Sequence, residues 1–315
     1  MLQQRPPLLA IVGPTGIGKT ALAVLLSRQI PMEVVSADSR QIYRGMDIGT
    51  GKPTREEQAA VPYHLVDVVD ATEPYHAARF RRDALKAIEE IRRRGRLPVI
   101  VGGTGLYVRA LLRGLSPAPP ADPEFRAALR RRADAEGTPA LHERLRRVDP
   151  KAAARIGPHD LVRITRALEV FHLTGRPLSS LHDWGKADLP FRLLMVGLTM
   201  DRSRFYRRLE LRCQKMIDQG LVEEVKTLLD RGVDPSCPAM QGIGYRHVVA
   251  HLEGKWSLPE AVRMMQRDTK RYAKRQWTWF RREPVHWVEV GESLETVVAV
   301  IKESIESQGL LAQLS

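Results

Sequence analysis

The sequence predicts an α/β protein in which a mainly parallel sheet is flanked by helices and carries an all-helical insertion. In the first third of the chain, short apolar runs alternate with segments of helical periodicity, an order that requires crossovers between parallel strands. After the proline-rich segment at residues 116–120, the pattern is helical and strongly basic from Asp122 to about His182, and a strand pattern returns at Phe191. We therefore expect a core formed by residues 1–115 and 190–315, and an inserted helical domain at residues 116–189.

Apolar runs predict the strands of the core, and one-sided apolar spacing predicts its helices. In Arg79–Arg94, for example, Phe80, Ala84 and Ile88 recur at helical spacing and face one side. The predicted strands are Leu8–Val12, Glu33–Ser36, Leu65–Val69, Leu97–Val101, Phe191–Leu198 and Val285–Val288. The predicted helices are Ala21–Leu26 and Arg79–Arg94, with others within residues 202–231 and 258–282.

A phosphate-binding loop follows the first predicted strand, with the sequence Gly13-Pro14-Thr15-Gly16-Ile17-Gly18-Lys19-Thr20. Its glycines let backbone N–H groups surround phosphate oxygens, and the next helix adds partial positive charge at its N-terminus. Lys19 is suited to neutralising a terminal phosphate, and the Thr20 hydroxyl to holding Mg²⁺. The core is therefore P-loop-type, and its ligand is a di- or triphosphate, with ATP a candidate by motif.

Composition restricts the environment and the partners. There are only two cysteines, Cys213 and Cys237, and no apolar run long enough to span a bilayer, so we expect a cytoplasmic protein without membrane contact. Lysine and arginine number 50 against 37 acidic residues, and this net charge of +13 favours a nucleic-acid partner. An arginine-rich proteome from a GC-rich genome would give the same charge balance. The clustering of the arginines along the chain therefore has to distinguish a nucleic-acid partner from a genome-wide excess of arginine.

Polar residues follow the predicted strands at the sheet edge where ligands bind in such folds. They are Ser36–Asp38, Asp70 and Gly102–Gly105, which we expect to share one crevice with the phosphate loop. Asp38 is suited to act as a general base, to ligate Mg²⁺, or only to cap a turn, and spacing alone does not separate these roles.

Arginines cluster at three places beyond the phosphate loop. Arg204, Arg208 and Arg212 share one helix face, which suits either a diphosphate or plain solvation. A second stripe of arginines at four-residue spacing lies within residues 263–275. Trp277 follows it, and this side chain is suited either to base stacking or to a core position. The insertion contains the third cluster, and repetition at separate places favours a nucleic-acid footprint.

In their order along the chain, the motifs resemble those of the tRNA dimethylallyltransferase (isopentenyl-tRNA transferase) family in its bacterial form. The resemblance runs from about Leu8 to Trp287 and is far more specific than the phosphate loop alone. The matching blocks are Gly13–Thr20, Ser36–Tyr43, Met46–Pro53, His64–Asp67, Val101–Tyr107, Arg166–Val170, Gly220–Val225, Gly242–Arg246, Thr269–Gln276 and Thr278–Phe280.

The resemblance implies transfer of a dimethylallyl group from dimethylallyl diphosphate to the N6 amine of the adenosine on the 3′ side of the anticodon, in tRNAs that read codons beginning with U. Asp38 would be the general base, and Thr20 with Arg208 or Arg212 would act on the leaving diphosphate, with Mg²⁺ as cofactor. The insertion would bind the anticodon stem-loop, and the protein would be a monomer.

The same resemblance assigns the binding residues. The diphosphate would contact Gly13, Thr15, Gly16, Ile17, Gly18, Lys19 and Thr20. The tRNA would contact Asp38, Ser39, Arg40, Gln41, Thr104, Arg126, Val162, Arg163, Ile164, Thr165, Arg166, Gln241, Gly242, Ile243, Gly244, Tyr245 and Arg246.

Some positions depart from the family pattern. Gly16-Ile17 replaces the usual alanine and small or β-branched residue, which should leave the phosphate cradle intact. His247 stands where an acidic or amide residue is usual, and the sequence leaves its role open. No Cys/His pattern follows Phe280, in contrast to the zinc finger of eukaryotic members.

Two other functions are compatible with the phosphate loop. A small-metabolite kinase would use Asp38 as base or metal ligand, but it does not need a basic insertion. A nucleic-acid-stimulated NTPase normally has an acidic residue after a second apolar strand, which Val66–Asp70 imitates weakly.

Overall fold

The computed structural model describes residues 5–115, 118–181, 189–291 and 293–313. Within these ranges the chain divides into two compact units. The first unit comprises the residues up to Leu112 and those from Leu189 onward, and the second unit begins at Arg113. Residues 116–117 and 182–188, near the two ends of the predicted insertion, lie outside the described residues.

The strands are short, as apolar runs separated by turn residues predict. The strands are β1 (Pro7–Val12), β2 (Met32–Ser36), β3 (Tyr63–His64), β4 (Leu97–Gly102), β5 (Arg192–Thr199) and β6 (His286–Glu289). The helices are α1 (Lys19–Ser27), α2 (Arg55–Ala60), α3 (Ala77–Arg93), α4 (Gly105–Arg113), α5 (Pro123–Glu136), α6 (Thr138–Val148), α7 (Pro150–Ala153), α8 (Leu161–Thr174), α9 (Arg202–Asp218), α10 (Leu221–Asp230), α11 (Tyr245–Leu252), α12 (Leu258–Phe280) and α13 (Leu294–Ser307). No helix in the described ranges is both long enough and apolar enough to cross a membrane.

All six strands pair in parallel, in the order β3-β2-β4-β1-β5-β6, which confirms the predicted α/β fold. β1 lies inside the sheet, with Val12 opposite Gly102 of β4 and Gly197 of β5. The carboxyl ends of β1, β2 and β4 therefore meet at one edge. The loops that follow these three strands contain the phosphate loop, Asp38 and Thr104.

The sequence predicts a third strand over Leu65–Val69, and this prediction is wrong. The residues that pair with β2 are Tyr63 and His64. Leu65 and Asp67 have φ angles of +63° and +55°, and this left-handed conformation is incompatible with a continuous strand. Lys52 binds the Asp67 carboxylate and helps to hold this turn.

Alternate residues of β1 enter two apolar cores on opposite faces of the sheet. Leu9 and Ile11 pack in the core formed with α1 and α13, whereas Leu8, Ala10 and Val12 pack in the core formed with α3 and α4. All five are fully buried, which stabilises the fold by roughly 1.5–3 kcal/mol for each large side chain. The second unit has a core of its own, contributed mainly by α5, α6 and α8.

Candidate active site

A cavity of about 240 Å³ lies within the first unit, at the edge of the sheet where β1 and β2 end. It collects many residues that the sequence predicts for the site, namely Thr15, Asp38, Ser39, Arg40, Arg212, Gln241, Ile243 and Arg246. Further residues of its wall come from α9 and α12, namely Cys213, Met216, Met265, Thr269, Tyr272 and Arg275. The lining of the cavity thus combines cationic and polar side chains with apolar ones.

The phosphate loop presents backbone N–H groups that have no protein acceptor. α1 begins directly after Gly18, and its N-terminus is not capped by a side chain. Within the described ranges, the amides of Gly16, Gly18, Lys19 and Thr20 donate no hydrogen bond to the protein. The Ile17 side chain is fully buried in the core, so it anchors the phosphate loop to the protein interior. The loop is therefore open to an anion.

The Lys19 side chain folds back over this loop. Its Nζ donates to the carbonyl oxygens of Gly13 at 2.9 Å and Pro14 at 2.8 Å. Burial lowers the pKa of Lys19 from 10.5 to about 8, while Asp38 raises it and Arg212 lowers it further. An anion bound in the loop would place a negative charge beside the Lys19 ammonium, which would offset the cost of its burial and raise its pKa again.

Two arginines of α9 lie beside the same loop. The guanidinium of Arg212 occupies the space in which a side chain at Gly51 would stand, since a Cβ there would be 1.7 Å from Nη2. Its Cδ is 3.5 Å from the corresponding position at Gly16, and Arg208 Nη2 is 3.5 Å from that at Gly18. Burial lowers the pKa of both guanidinium groups. Neither group forms an ion pair or hydrogen bond with any described residue, so both are available to an anion.

Asp38 both shapes a turn and lines the cavity. One carboxylate oxygen, Oδ1, accepts hydrogen bonds from the N–H groups of Arg40 at 2.8 Å and Gln41 at 3.4 Å. The N–H of Ser39 donates to Thr104 Oγ1 at 3.0 Å, which joins this turn to the loop after β4. The turn leaves Oδ2 without a hydrogen bond to the described residues, so the carboxylate keeps an acceptor for a substrate.

Gln276 is a residue of the site that sequence reasoning missed. Its carboxamide is buried, accepts a hydrogen bond from Thr15 N at 2.8 Å, and donates one to Gly103 O at 2.9 Å. A Cβ at Gly103 would lie 2.1 Å from the Gln276 Nε2 atom, so a larger residue there would displace the Gln276 carboxamide from its hydrogen bonds. The available signal was its place in the Thr269–Gln276 block.

Tyr272 is a second missed residue, one helical turn before Gln276. It lines the cavity on α12. Burial raises the pKa of its phenol to about 12, and the nearby Asp38 carboxylate contributes to the increase. The phenol therefore stays protonated and presents an O–H group to the cavity.

The turn before α11 explains the unusual His247. Its Nδ1 accepts a hydrogen bond from Gly244 N at 3.2 Å, and its Nε2 lies 3.3 Å from Asp268 Oδ2. The same oxygen accepts a hydrogen bond from Arg246 at 2.7 Å. These partners require the neutral tautomer with the proton on Nε2, and burial indeed lowers the pKa of His247. Tyr245 is only 1% exposed, and its hydroxyl donates a hydrogen bond to Glu224 Oε1 at 2.6 Å.

The predicted tRNA residues of the insertion lie in the second unit and differ in exposure. Val162 is 81% exposed, whereas Ile164 is fully buried in the core of the unit. Arg126 donates two hydrogen bonds to the buried Glu169, at 2.6 and 2.8 Å, and Arg166 binds the same carboxylate. Burial raises the pKa of Glu169, but the hydrogen bonds from both arginines lower it to about 2. These arginines therefore support the unit itself.

The positions of Asp70 and Trp277 in the fold decide two further interpretations of the sequence. Asp70 does not line the cavity, because it pairs with Arg44 at the surface. Trp277 packs its ring against Phe205, with a centroid distance of 4.8 Å, and belongs to the core. Of the arginine stripe on α12, Arg275 reaches the cavity.

Comparison with known proteins gives consistent matches over most of the chain. The family model described as IPP transferase matches residues 41–283, and the one described as isopentenyl transferase matches residues 6–67. A tRNA dimethylallyltransferase of Thermomicrobium roseum is 52% identical over 292 residues, which is 92% of this chain and 88% of the relative. One of Geobacter metallireducens is 49% identical over 301 residues, covering 95% and 97%.

Solved structures agree with these matches. The tRNA isopentenylpyrophosphate transferase of Bacillus halodurans has a TM-score of 0.72 and 41% identity, covering 98% of this chain and 99% of that one. A eukaryotic dimethylallyltransferase acting on tRNA has a TM-score of 0.79 and 26% identity, covering 96% and 80%.

Proposed function

We propose that this chain, which belongs to the IPP transferase family of tRNA dimethylallyltransferases, transfers the dimethylallyl group in the cavity described above. The chain is a prenyltransferase that modifies tRNA, and its relatives do not favour the kinase and NTPase alternatives. The acceptor is the N6 amine of the adenosine 3′ to the anticodon, in tRNAs that read codons beginning with U. The observation that carries the proposal is a phosphate loop with open amides beside two arginines that have no acidic partner among the described residues.

The donor diphosphate binds to the phosphate loop. Its oxygens accept hydrogen bonds from the open amides of Gly16, Gly18, Lys19 and Thr20 and draw the Lys19 side chain away from the Gly13 and Pro14 carbonyls. Arg212 and Arg208 contact the same diphosphate from α9. Because these cations lie in a partly dry site, they stabilise the negative charge that grows on the departing diphosphate more strongly than they would in water.

Mg²⁺ fits this site through Thr20. The hydroxyl of Thr20 is a hard oxygen donor in the first turn of α1, the position from which a phosphate-loop residue reaches the metal. In the described residues there is no cluster of three or more acidic, histidine or cysteine side chains that could hold a metal alone. Mg²⁺ commonly binds through one or two protein oxygens together with substrate phosphates and water. When bound, it neutralises charge on the leaving diphosphate.

Asp38 activates the acceptor amine. As N6 forms its bond to the allylic carbon, the bond from that carbon to the diphosphate oxygen breaks, and the excess proton on N6 passes to Asp38. Because Oδ1 is held by the amides of Arg40 and Gln41, Oδ2 is positioned to take the proton. Tyr272 lines the space in which the adenine must lie, and Thr104 holds the turn of Asp38 through its hydrogen bond with Ser39. A base stacked in RNA cannot enter this cavity, so the adenosine is flipped out.

The second unit binds the anticodon stem-loop. Its exposed arginines, with Arg163 beside the exposed Val162, are suited to phosphate contacts along the stem. Gln241 and Arg246 line the cavity and are placed to contact the nucleotides around the flipped adenosine. The enzyme works as a cytoplasmic monomer.

A single assay tests the proposed function. The purified full chain is incubated with Mg²⁺, dimethylallyl diphosphate and unmodified tRNA, and the tRNA is then digested for nucleoside mass analysis. We expect one dimethylallyl group on adenosine from the position next to the anticodon. The control replaces the donor with ATP and should give no modified nucleoside. Hydrolysis of ATP without any prenylated adenosine would contradict the proposal.

A further inference from the structure

Among the described residues, four hydrogen-bond donors and no cation bind the side chain of Glu224 on α10. Its Oε2 accepts hydrogen bonds from the N–H groups of Asp47 at 2.9 Å and Ile48 at 2.8 Å. Its Oε1 accepts from Gly49 N at 3.2 Å and from the Tyr245 hydroxyl at 2.6 Å. Glu224 forms no ion pair within the described residues, so its charge is satisfied by backbone and phenol dipoles.

This arrangement requires a carboxylate. Three successive N–H groups that converge on one point form a concave anion-binding site, which Glu224 fills from inside the protein. An ionised carboxylate accepts at all its lone pairs, whereas a carboxamide would turn an NH₂ group toward donors. The Tyr245 phenol is buried, and burial together with Glu224 raises its pKa, so it remains a donor. Glu224 thereby fastens residues 47–49 to α10 and α11.

The fastened loop continues directly into the active site. Gly49 and Thr50 line the cavity. The guanidinium of Arg212 lies against Gly51, and the carbonyl oxygen of Gly51 accepts a hydrogen bond from Gln41 Nε2 at 3.1 Å. The position of this loop therefore determines where the Arg212 guanidinium rests and how the Gln41 carboxamide is turned.

We propose that Glu224 is a positioning residue for the transfer reaction, which acts by fixing the loop at residues 47–51 and, through it, Arg212 and Gln41. The inference rests on the proposed function of Arg212 at the donor diphosphate. Misplacing a cation by about 1 Å is enough to cost roughly 100-fold in rate. Loss of the anchor should therefore weaken donor binding and slow the chemical step. A residue with only a structural role would lower stability and leave both unchanged for each folded molecule.

The chain contains a matched control for this residue. Glu223 precedes Glu224 on α10, is exposed, and its carboxylate makes no hydrogen bond or ion pair with the described residues. Glu223→Gln therefore makes the same change of charge without touching the loop. Tyr245→Phe removes one of the four donors and keeps the carboxylate, so it tests the anchor even if Glu224→Gln folds poorly.

The experiment compares wild type, Glu224→Gln, Tyr245→Phe and Glu223→Gln as full-length proteins. Calorimetry measures the affinity for dimethylallyl thiodiphosphate, an unreactive donor analogue, and single-turnover assays with tRNA measure the chemical step at saturating substrate. We expect Glu224→Gln to lose roughly 10–100-fold in both, with a smaller loss in Tyr245→Phe and none in Glu223→Gln. Affinity for tRNA should change much less.

The inference would be overturned if Glu224→Gln and Tyr245→Phe both kept the wild-type donor affinity and the wild-type single-turnover rate per folded molecule, even if their thermal stability were lower. Failure of the proposed function would look different. In that case the wild-type protein itself would not prenylate tRNA.

Discussion

The carboxamide of Gln276 accepts a hydrogen bond from the N–H of Thr15 at 2.8 Å, while its amide nitrogen donates to the loop after β4 at 2.9 Å. One buried side chain thus joins the phosphate loop to the loop that carries Thr104. Because Thr104 also accepts a hydrogen bond from Ser39, the donor and acceptor sides of the cavity form one connected frame.

Gln276→Leu should destabilise the protein, because it leaves the Thr15 N–H and the Gly103 carbonyl without a partner. Each unsatisfied buried group costs about 1–3 kcal/mol. Gln276→Glu keeps an acceptor for the Thr15 N–H, and its protonated carboxyl supplies an O–H donor for the Gly103 carbonyl, so its loss of stability should be smaller. Urea unfolding of the three proteins measures the difference. Equal free energies of unfolding for wild type and Gln276→Leu would show that the hydrogen bonds of Gln276 contribute nothing to stability.

Donor binding should depend on pH through Lys19, whose pKa in the free protein is about 8. Below that pH the ammonium is already charged. Above it, the diphosphate must draw a proton onto Lys19, so affinity should fall as pH rises, by up to about tenfold per unit. Calorimetry in two buffers of different ionisation heat should show proton uptake above, and not below, about pH 8. Lys19→Ala should show weaker binding and no uptake.

The arginines of the second unit should separate into two classes. Arg163 is exposed and pairs with Asp160 only at the surface, so Arg163→Ala should leave stability unchanged. It should weaken tRNA binding and reduce the slope of affinity against salt by about one, measured between about 50 and 200 mM. Arg126→Ala removes a partner of the buried Glu169 and should lower the melting temperature. A stability loss in Arg163→Ala alone would contradict this division.

His247 should make the stability of the protein sensitive to acid. Because burial lowers its pKa in the folded protein, the unfolded chain takes up a proton first as the pH falls below about 6.5. The stabilisation is therefore complete above that value and is lost as pH falls toward the folded pKa, at up to about 1.4 kcal/mol per unit. His247→Gln does not titrate, and its amide offers both an acceptor for Gly244 and a donor for Asp268. The wild type should lose stability relative to this variant between about pH 7 and pH 5, and parallel curves would exclude His247 as the cause.

The sequence predicts the parallel sheet and the phosphate loop because both depend on local patterns. Apolar runs identify β1, β2, β4 and β5, and glycine spacing identifies the loop. The wrong prediction of a strand at Leu65–Val69 has a tertiary cause. A run of valines and a leucine suits a strand, but in the fold Lys52 binds Asp67, and Leu65 and Asp67 adopt positive φ angles. Hydrophobicity alone does not contain that information.

The supporting residues of the site could not be predicted for the same reason. Gln276 and Glu224 act through hydrogen bonds to backbone groups more than 170 residues away, and such contacts leave no periodic signal. His247 could be recognised as unusual, but its two partners, Gly244 and Asp268, became visible only in the fold. The assigned tRNA contacts and the role of Thr20 stay predictions.

Asp38→Asn tests directly whether Asp38 takes the proton from the acceptor amine. Asn keeps an oxygen that can accept the hydrogen bonds from Arg40 and Gln41, so the turn should persist, but it cannot take up the amine proton. Single-turnover transfer at saturating tRNA and dimethylallyl diphosphate, measured across a Mg²⁺ series, should be slower by roughly 10²–10⁴-fold at every Mg²⁺ concentration. Affinity for both substrates should change little. Rescue by added Mg²⁺ would assign Asp38 to the metal, and a near-normal single-turnover rate would contradict its role as the base.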